Sequence, residues 1–313
     1  MPQRSSLLPI SLAFLCVAAI CAALFLSNIV SVPAKVSRPD YVLTLALPQS
    51  GDLEISAADG GPDDGRPLVV IDPGHGGHDP GAVGGDVLEK EVVLSLAKAL
   101  RDRLQESGAV RVALTRDDDR FLVVEERAEI ARRLGGDLFV SIHADSAEGA
   151  GEASGASIYT LSSDATNRAA ARFAARENRA DEINGVVIDG DNQTVETILV
   201  ELSQRRAAEE ASNFAELIER GGRGTLVFRE PARLSANLAV LKAPDMPSIL
   251  FEAGFVSNPD EAKRLTSAEG RDAFALVMAR AIEEYFRADP GRNSGAPTAA
   301  ARGPSIGSVL GGW

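Results

Sequence analysis

Cysteine is almost missing from this 313-residue chain: Cys16 and Cys21 are its only two, and both lie in an apolar N-terminal run. The rest of the chain therefore has no thiol, which excludes disulfides and cysteine-ligated metal sites there. Basic charge is also in deficit, with 32 Lys and Arg against 45 Asp and Glu and a formal net charge of -13. That balance argues against a nucleic-acid partner, since binding a phosphate backbone requires basic surface. Three catalytic signatures are absent. There is no GxSxG elbow, and no HExxH pair on a helix. The Gly-rich stretch DPGHGGHDPGAVGG lacks the Lys-Ser/Thr ending of a phosphate loop. Histidine is scarce too, with three in the whole chain, so the setting of each carries weight.

No charged residue occurs between Arg4 and Lys35, and residues 7–30 form a long apolar run. Such a run is long enough to span a bilayer, and it also resembles an extended signal-peptide core. Val32-Pro33-Ala34 offers a small-residue cleavage site. Residues 1–34 are therefore expected to be a signal peptide or a membrane anchor. Either fate places the remainder outside the cytoplasm. Residues 35–66 are acidic and rich in Gly and Pro, as expected of a linker. Residues 288–313 are rich in Gly, Ala, Pro and Ser, with little to bury, and are expected to be a disordered tail.

From residue 67 onward, strand and helix signals alternate. PLVVID, VRVALT, DLFVSIH, GASIYTL, NLAVLK and PSILFE carry strand signals. Val92, Val93, Leu96, Leu100 and Leu104 share one helical face. Further helical patterns cover 123–134, 167–178 and 260–286. This alternation predicts an α/β fold with a mainly parallel central sheet flanked by helices, in one catalytic domain over 67–287. Residues 181–233 break the rhythm: a loop-like stretch leads into TVETILVELSQRRAAEEASNFAELIERGG. They are expected to form a helical insertion, either packed on the domain or mobile.

Four residues carry candidate chemistry. His75 follows PLVVID through Asp72-Pro73-Gly74, His143 ends DLFVSIH, Glu252 ends PSILFE, and Glu89 opens a helix. In open α/β sheets, ligands bind at the carboxyl ends of strands. Two histidines and a carboxylate complete a protein shell for catalytic zinc, with one position left for water. A further glutamate, Glu252, is placed to accept a proton from that water and pass it to a leaving nitrogen. The chemistry is that of a hydrolase acting on an amide or related acyl bond. Each residue has a plainer alternative. A histidine after a strand can be structural, Glu89 can be a helix N-terminal acid, and Glu252 can be a buried structural carboxylate. Asp72 is a candidate for orienting a ligand, or a turn cap. His78 suits a cleft wall or solvent better than a metal. Asp145 is open between a cleft role and a turn.

Taken in order, VVIDPGHGGHDPGAVG, LEKEVVLSLAKALRDRL, VALTRDDDRFLVVEERAEIARRLGGDLFVSIHADS, GASIYTL and NLAVLKAPDMPSILFEAGFVSNPDEAKRL resemble the zinc-dependent N-acetylmuramoyl-L-alanine amidases of bacterial cell walls. The resemblance spans about residues 67–286. It implies that His75, Glu89 and His143 bind Zn2+ and that Glu252 is catalytic. The implied substrate is the peptidoglycan amide between N-acetylmuramic acid and L-alanine, in a periplasmic or envelope setting. The 35–66 stretch is too short for the wall-targeting domain that many members carry. The resemblance further implies that 181–233 holds an active-site-blocking helix, with Glu196 or Glu201 reaching the metal, and that a coiled-coil, LytM-type activator protein withdraws it during cell separation. Competing readings are an envelope carboxypeptidase or deacetylase, or an inactive wall-binding scaffold.

Overall fold

The computed structural model describes residues 64–146, 153–179, 197–243 and 245–288. Contacts divide the chain into Met1–Asp52 and Leu53–Trp313, and all described residues lie in the second unit. The N-terminal apolar run, most of the linker, Glu196 and the C-terminal tail are outside the described residues. Among those described, no helix is long and apolar enough to cross a membrane.

Six strands form the main sheet: β1 (Leu68–Pro73), β4 (Arg111–Leu114), β5 (Leu138–His143), β6 (Ala156–Leu161), β7 (Phe228–Ala236) and β8 (Ser248–Glu252). Their order is β4-β1-β5-β8-β6-β7, and a separate short ribbon joins β2 (Val83–Gly84) to β3 (Val87–Leu88). β4, β1, β5 and β8 are mutually parallel, β6 runs antiparallel to β8, and β7 is parallel to β6. The mainly parallel α/β sheet expected from the sequence is therefore present. β1, β5 and β8 are buried along their whole length, as expected for strands covered on both faces.

Helices cover both faces. On one side lie α1 (Glu89–Ser107), α4 (Thr197–Gly222) and α6 (Ala268–Ala288), sharing a core through Leu96, Leu100, Phe214, Ile218, Met278 and Ile282. On the other lie α2 (Val124–Arg133) and α3 (Arg168–Glu177), whose Ala128, Ala131, Ala170 and Phe173 pack over Val70, Phe139 and Leu250. The helix α5 (Pro259–Thr266) begins at Asn258, whose side chain accepts hydrogen bonds from the Asp260 and Glu261 amides.

One feature differs from the sequence reading. NLAVLK is not a strand; Ala239–Leu241 is a 3-10 turn, and the strand lies upstream at Phe228–Ala236. β7 is an edge strand with a mixed burial pattern and a proline at 231. An edge tolerates that residue, which breaks the apolar alternation a sequence scan depends on. The helix expected within 181–233 is packed on the domain where it is described. The described part of that segment includes most of α4, whose Ala211, Phe214 and Ile218 are core residues packed with α1 and α6.

The topology places the site. α1 and α2 lie on opposite faces of the sheet, and β1 and β5 are neighbours. A crevice opens where chain direction diverges in this way, at the carboxyl ends of the strands. His75 follows β1 and His143 ends β5 at that point.

Candidate functional site

The loop after β1 turns on itself within a few residues. His75 has φ 59°, the single positive φ at a non-glycine position among the described residues. That left-handed conformation costs a branched-free side chain roughly 1–3 kcal/mol, and two buried arginines hold it. Arg127 donates to the carbonyls of Pro73 (2.9 Å) and His75 (2.8 Å), and Arg116 donates to those of Pro73 (2.9 Å) and Gly74 (2.7 Å). Three successive carbonyls are thus pinned from below.

Asp72 is the counter-charge of this cradle. It pairs with Arg127 at 2.9 Å and accepts hydrogen bonds from Thr115 (2.6 Å) and Ser141 (2.8 Å). Burial opposes ionisation of Asp72, but the Arg127 charge and these hydrogen bonds bring its pKa below the usual carboxylate value. Burial, with Arg127 alongside, lowers the Arg116 pKa to about 10. Asp72 therefore acts on the His75 backbone through Arg127. The carboxylate that orients the His75 ring is Asp79, 2.8 Å from Nδ1. Its other oxygen accepts from the Gly81 amide at 3.0 Å.

The imidazoles of His75 and His143 meet edge to face, with ring centroids 4.9 Å apart. Glu89 Oε1 lies 3.2 Å from His75 Nε2 and 3.2 Å from His143 Nδ1. The Glu89 carboxylate is fixed by the Ala144 amide on one oxygen and the Ala82 amide on the other, both at 2.8 Å. His75, Glu89 and His143 are all buried and each offers a donor atom within 4.8 Å of the others. Both converging imidazole nitrogens lack a hydrogen-bond partner. Buried nitrogens of this kind need a partner, and two imidazoles with one carboxylate suit zinc. The donor set thus fits a divalent metal ion.

Glu252 completes the row. It pairs in register with His143 across β5 and β8, and its Oε2 accepts from the Asp145 amide at 3.0 Å. Its Oε1 is buried without a partner. Burial, then the charges of Asp145, Glu89 and Glu177, push its pKa well above the carboxylate range. Burial likewise raises Asp145 to about 6, against the pull of Arg176 at 2.5 Å. For His75 burial favours the neutral ring, but the Glu89 charge and the Asp79 contact prevail and raise its pKa well above the usual histidine value. Burial would raise Glu89, yet the two imidazoles hold it well below the usual range. A divalent cation would relieve this crowding of carboxylates.

A residue the sequence reading passed over also reaches the cluster. Glu177, the last residue of α3, brings Oε2 to 3.5 Å from His143 Nδ1 and 3.7 Å from His75 Nε2. Beside it Arg176 pairs with Asp145 and sits 5.4 Å from the Phe173 ring centroid. Of the expected regulatory residues, Glu196 lies outside the described residues, and Glu201 belongs to α4, whose side chain there is not described. A signal for Glu177 existed: an acid in the last turn opposes the helix dipole and needs another reason to be there. His78 is not in the metal cluster; its ring packs at 4.2 Å from that of Phe121.

Two glycines make the close packing possible. A Cβ on Gly74 would enter the His143 ring, and one on Gly81 would lie 2.7 Å from both Glu89 Oε2 and His75 Cδ2. Gly81 also has φ +66°. Gly81→Ala is therefore expected to weaken metal binding at least about tenfold, from strain of roughly 1–3 kcal/mol at that backbone position. A competitive chelator titration with zinc checks this, and wild-type affinity would show that the ligand cage has slack.

A family profile described as N-acetylmuramoyl-L-alanine amidase matches residues 69–284. The chain is 39% identical over 232 residues to N-acetylmuramoyl-L-alanine amidase AmiC of Neisseria meningitidis, covering 71% of this chain and 53% of that protein. It is 36% identical over 246 residues to AmiC of Escherichia coli O6:H1, covering 75% of this chain and 58% of that protein. The chain thus spans little more than half the length of these curated relatives. Among solved structures, the catalytic domain of CwlV, an amidase from Bacillus (Paenibacillus) polymyxa, aligns with TM-score 0.51 and 25% identity, over 71% of this chain and 99% of that one.

Proposed function

Because the chain belongs to the N-acetylmuramoyl-L-alanine amidase family, we propose that it hydrolyses the amide between the lactyl group of N-acetylmuramic acid and L-alanine in peptidoglycan. His75, Glu89 and His143 would hold a zinc ion. The observation that carries this reading is the pair of buried imidazole nitrogens, each without a hydrogen-bond partner, that converge on one Glu89 oxygen. When bound, zinc supplies a Lewis acid and an acidified water.

The chain's own residues supply the rest. Asp79 holds the His75 proton at Nδ1, leaving Nε2 as a donor to metal. The Ala82 and Ala144 amides hold Glu89 in place. Glu252 takes the proton of the attacking water and delivers it to the departing alanine nitrogen. Its place beside His143, with one oxygen held by the Asp145 amide and the other unbonded, suits both transfers.

In this reading Glu177 is an autoinhibitory group. It stands where a water or a substrate carbonyl must enter, within 3.5–3.7 Å of both imidazole nitrogens. Three protein donors with an open position make a catalytic zinc site, whereas a fourth protein donor closes it. A partner protein would activate the enzyme by drawing the end of α3 away, for a role in cell separation. Export through residues 1–34 would place the enzyme in the periplasm or envelope, near its polymer.

The test is product analysis on purified peptidoglycan with metal-stripped and zinc-reloaded protein. Intact stem peptides with a free L-alanine amino group are expected, only after reloading. Release of acetate or of single terminal amino acids would reject the assigned bond, and full activity in the stripped protein would reject the metal.

A further inference from the structure

Besides the two imidazole nitrogens, two buried oxygens near the site have no hydrogen-bond partner, and they belong to residues that face each other. Ser157 is 1% exposed and its Oγ makes no hydrogen bond. Glu252 Oε1 is also buried and unbonded. β6 and β8 are antiparallel, with Ser157 directly paired to Glu252. Directly opposed residues project from the same sheet face, with Cβ atoms about 4.5–5.5 Å apart. Glu252 therefore lies between His143 on one neighbouring strand and Ser157 on the other.

A buried hydroxyl without a partner weakens a fold. A serine buried at this point of β6 is not explained by packing, since alanine would fill the same place without that cost. The opposed carboxylate offers an explanation. A group that takes up and gives back a proton each turnover needs a neighbour that suits both of its states. A hydroxyl does so, because it can donate one hydrogen bond and accept two. Amides and guanidinium groups only donate at nitrogen, and carbonyls only accept.

We propose that Ser157 is a positioning residue for Glu252. Its O–H donates to the ionised carboxylate before water attacks. Its oxygen accepts from the carboxylic acid once Glu252 holds the water proton, and the first arrangement returns when that proton passes to the amine nitrogen. Ser157 gains and loses nothing over the cycle. The water O–H and the amide C–N bonds break, while the acyl C–O and amine N–H bonds form. The inference rests on the role given to Glu252 above.

The test compares Ser157→Ala, Ser157→Thr and Ser157→Cys, in the full chain and in the Glu177→Ala background, reading kcat, KM, zinc affinity and thermal midpoint. Loss of a hydrogen bond to a charged group predicts a kcat about tenfold or more lower for Ser157→Ala. KM and zinc affinity should be unchanged, and the thermal midpoint unchanged or higher. Ser157→Thr keeps the hydroxyl and should recover most of the rate. Ser157→Cys, close to serine in size but a weak donor, should remain slow whether or not the threonine variant folds. Wild-type kcat in Ser157→Ala, or full rate in Ser157→Cys, would overturn the proposal. So would a lowered thermal midpoint that accounts for the lost activity. Normal turnover in Glu252→Gln would instead sink the reading on which this inference stands. A slow Glu252→Gln beside a fast Ser157→Ala would sink this inference alone.

Discussion

Glu252→Gln is expected to lower hydrolysis of peptidoglycan by about a hundredfold to ten-thousandfold, the range of a lost general acid–base group, while zinc content stays at the wild-type level. The size follows from the position of the side chain. It ends β8 beside His143, buried at 2% exposure, with one oxygen fixed by the Asp145 amide and the other unbonded. Glutamine keeps the shape and the hydrogen bond from Asp145 but cannot carry the proton. Folding should not suffer, because burial and the nearby acids already disfavour the charged form in this state. Metal analysis of the purified variant, alongside release of stem peptides, separates the possibilities. Loss of zinc would make Glu252 a ligand and leave the proton-transfer role unfilled.

The sequence made much of this site legible for a physical reason. Buried parallel strands appear as short apolar runs, and ligand-bearing residues sit at their carboxyl ends. His75, His143 and Glu252 each follow such a run, and the structure brings all three to one edge of the sheet. Glu89 was legible as the start of an amphipathic helix whose buried face is the predicted one. What stayed hidden depends on tertiary contacts with no local period. Asp79 lies four residues beyond His75 in a Gly-rich loop, and only the fold of that loop brings its carboxylate to the ring. Arg127 sits on a polar-looking helix, yet it is buried under the His75 loop. In a sequence such an arginine is indistinguishable from a solvated one. β7 was missed because edge strands need not alternate. The 181–233 segment stands out in the sequence because it departs from the α/β rhythm, whereas Glu177 ends a regular helix whose Ala170, Phe173 and Ala174 pack on the sheet.

Glu177→Ala is expected to raise basal hydrolysis tenfold or more, up to about a hundredfold if the closed state holds about 99% of the molecules. The variant is a clean probe because α3 owes its place to other residues. Phe173 stacks on Tyr159 at 4.5 Å, and Asn167 caps the helix start by accepting from the Ala170 amide. Removing the carboxylate therefore empties the space beside the two imidazoles without unseating the helix. The sign of the effect decides what Glu177 is. An obligatory ligand would take zinc and activity with it when removed. A blocking group would leave zinc bound by His75, Glu89 and His143 and increase turnover. Arg176 should share the effect at smaller size, since its pair with Asp145 ties the same helix end to the Glu252 side of the site. A partner that shifts this switch from ~1% to ~99% open must favour the open state by about 5.5 kcal/mol. Breaking the contacts of Glu177 and Arg176 spreads that requirement over two neighbouring residues. Unchanged basal activity in a folded, zinc-loaded Glu177→Ala variant would remove α3 from regulation and return the question to the 181–233 segment and its Glu196 and Glu201.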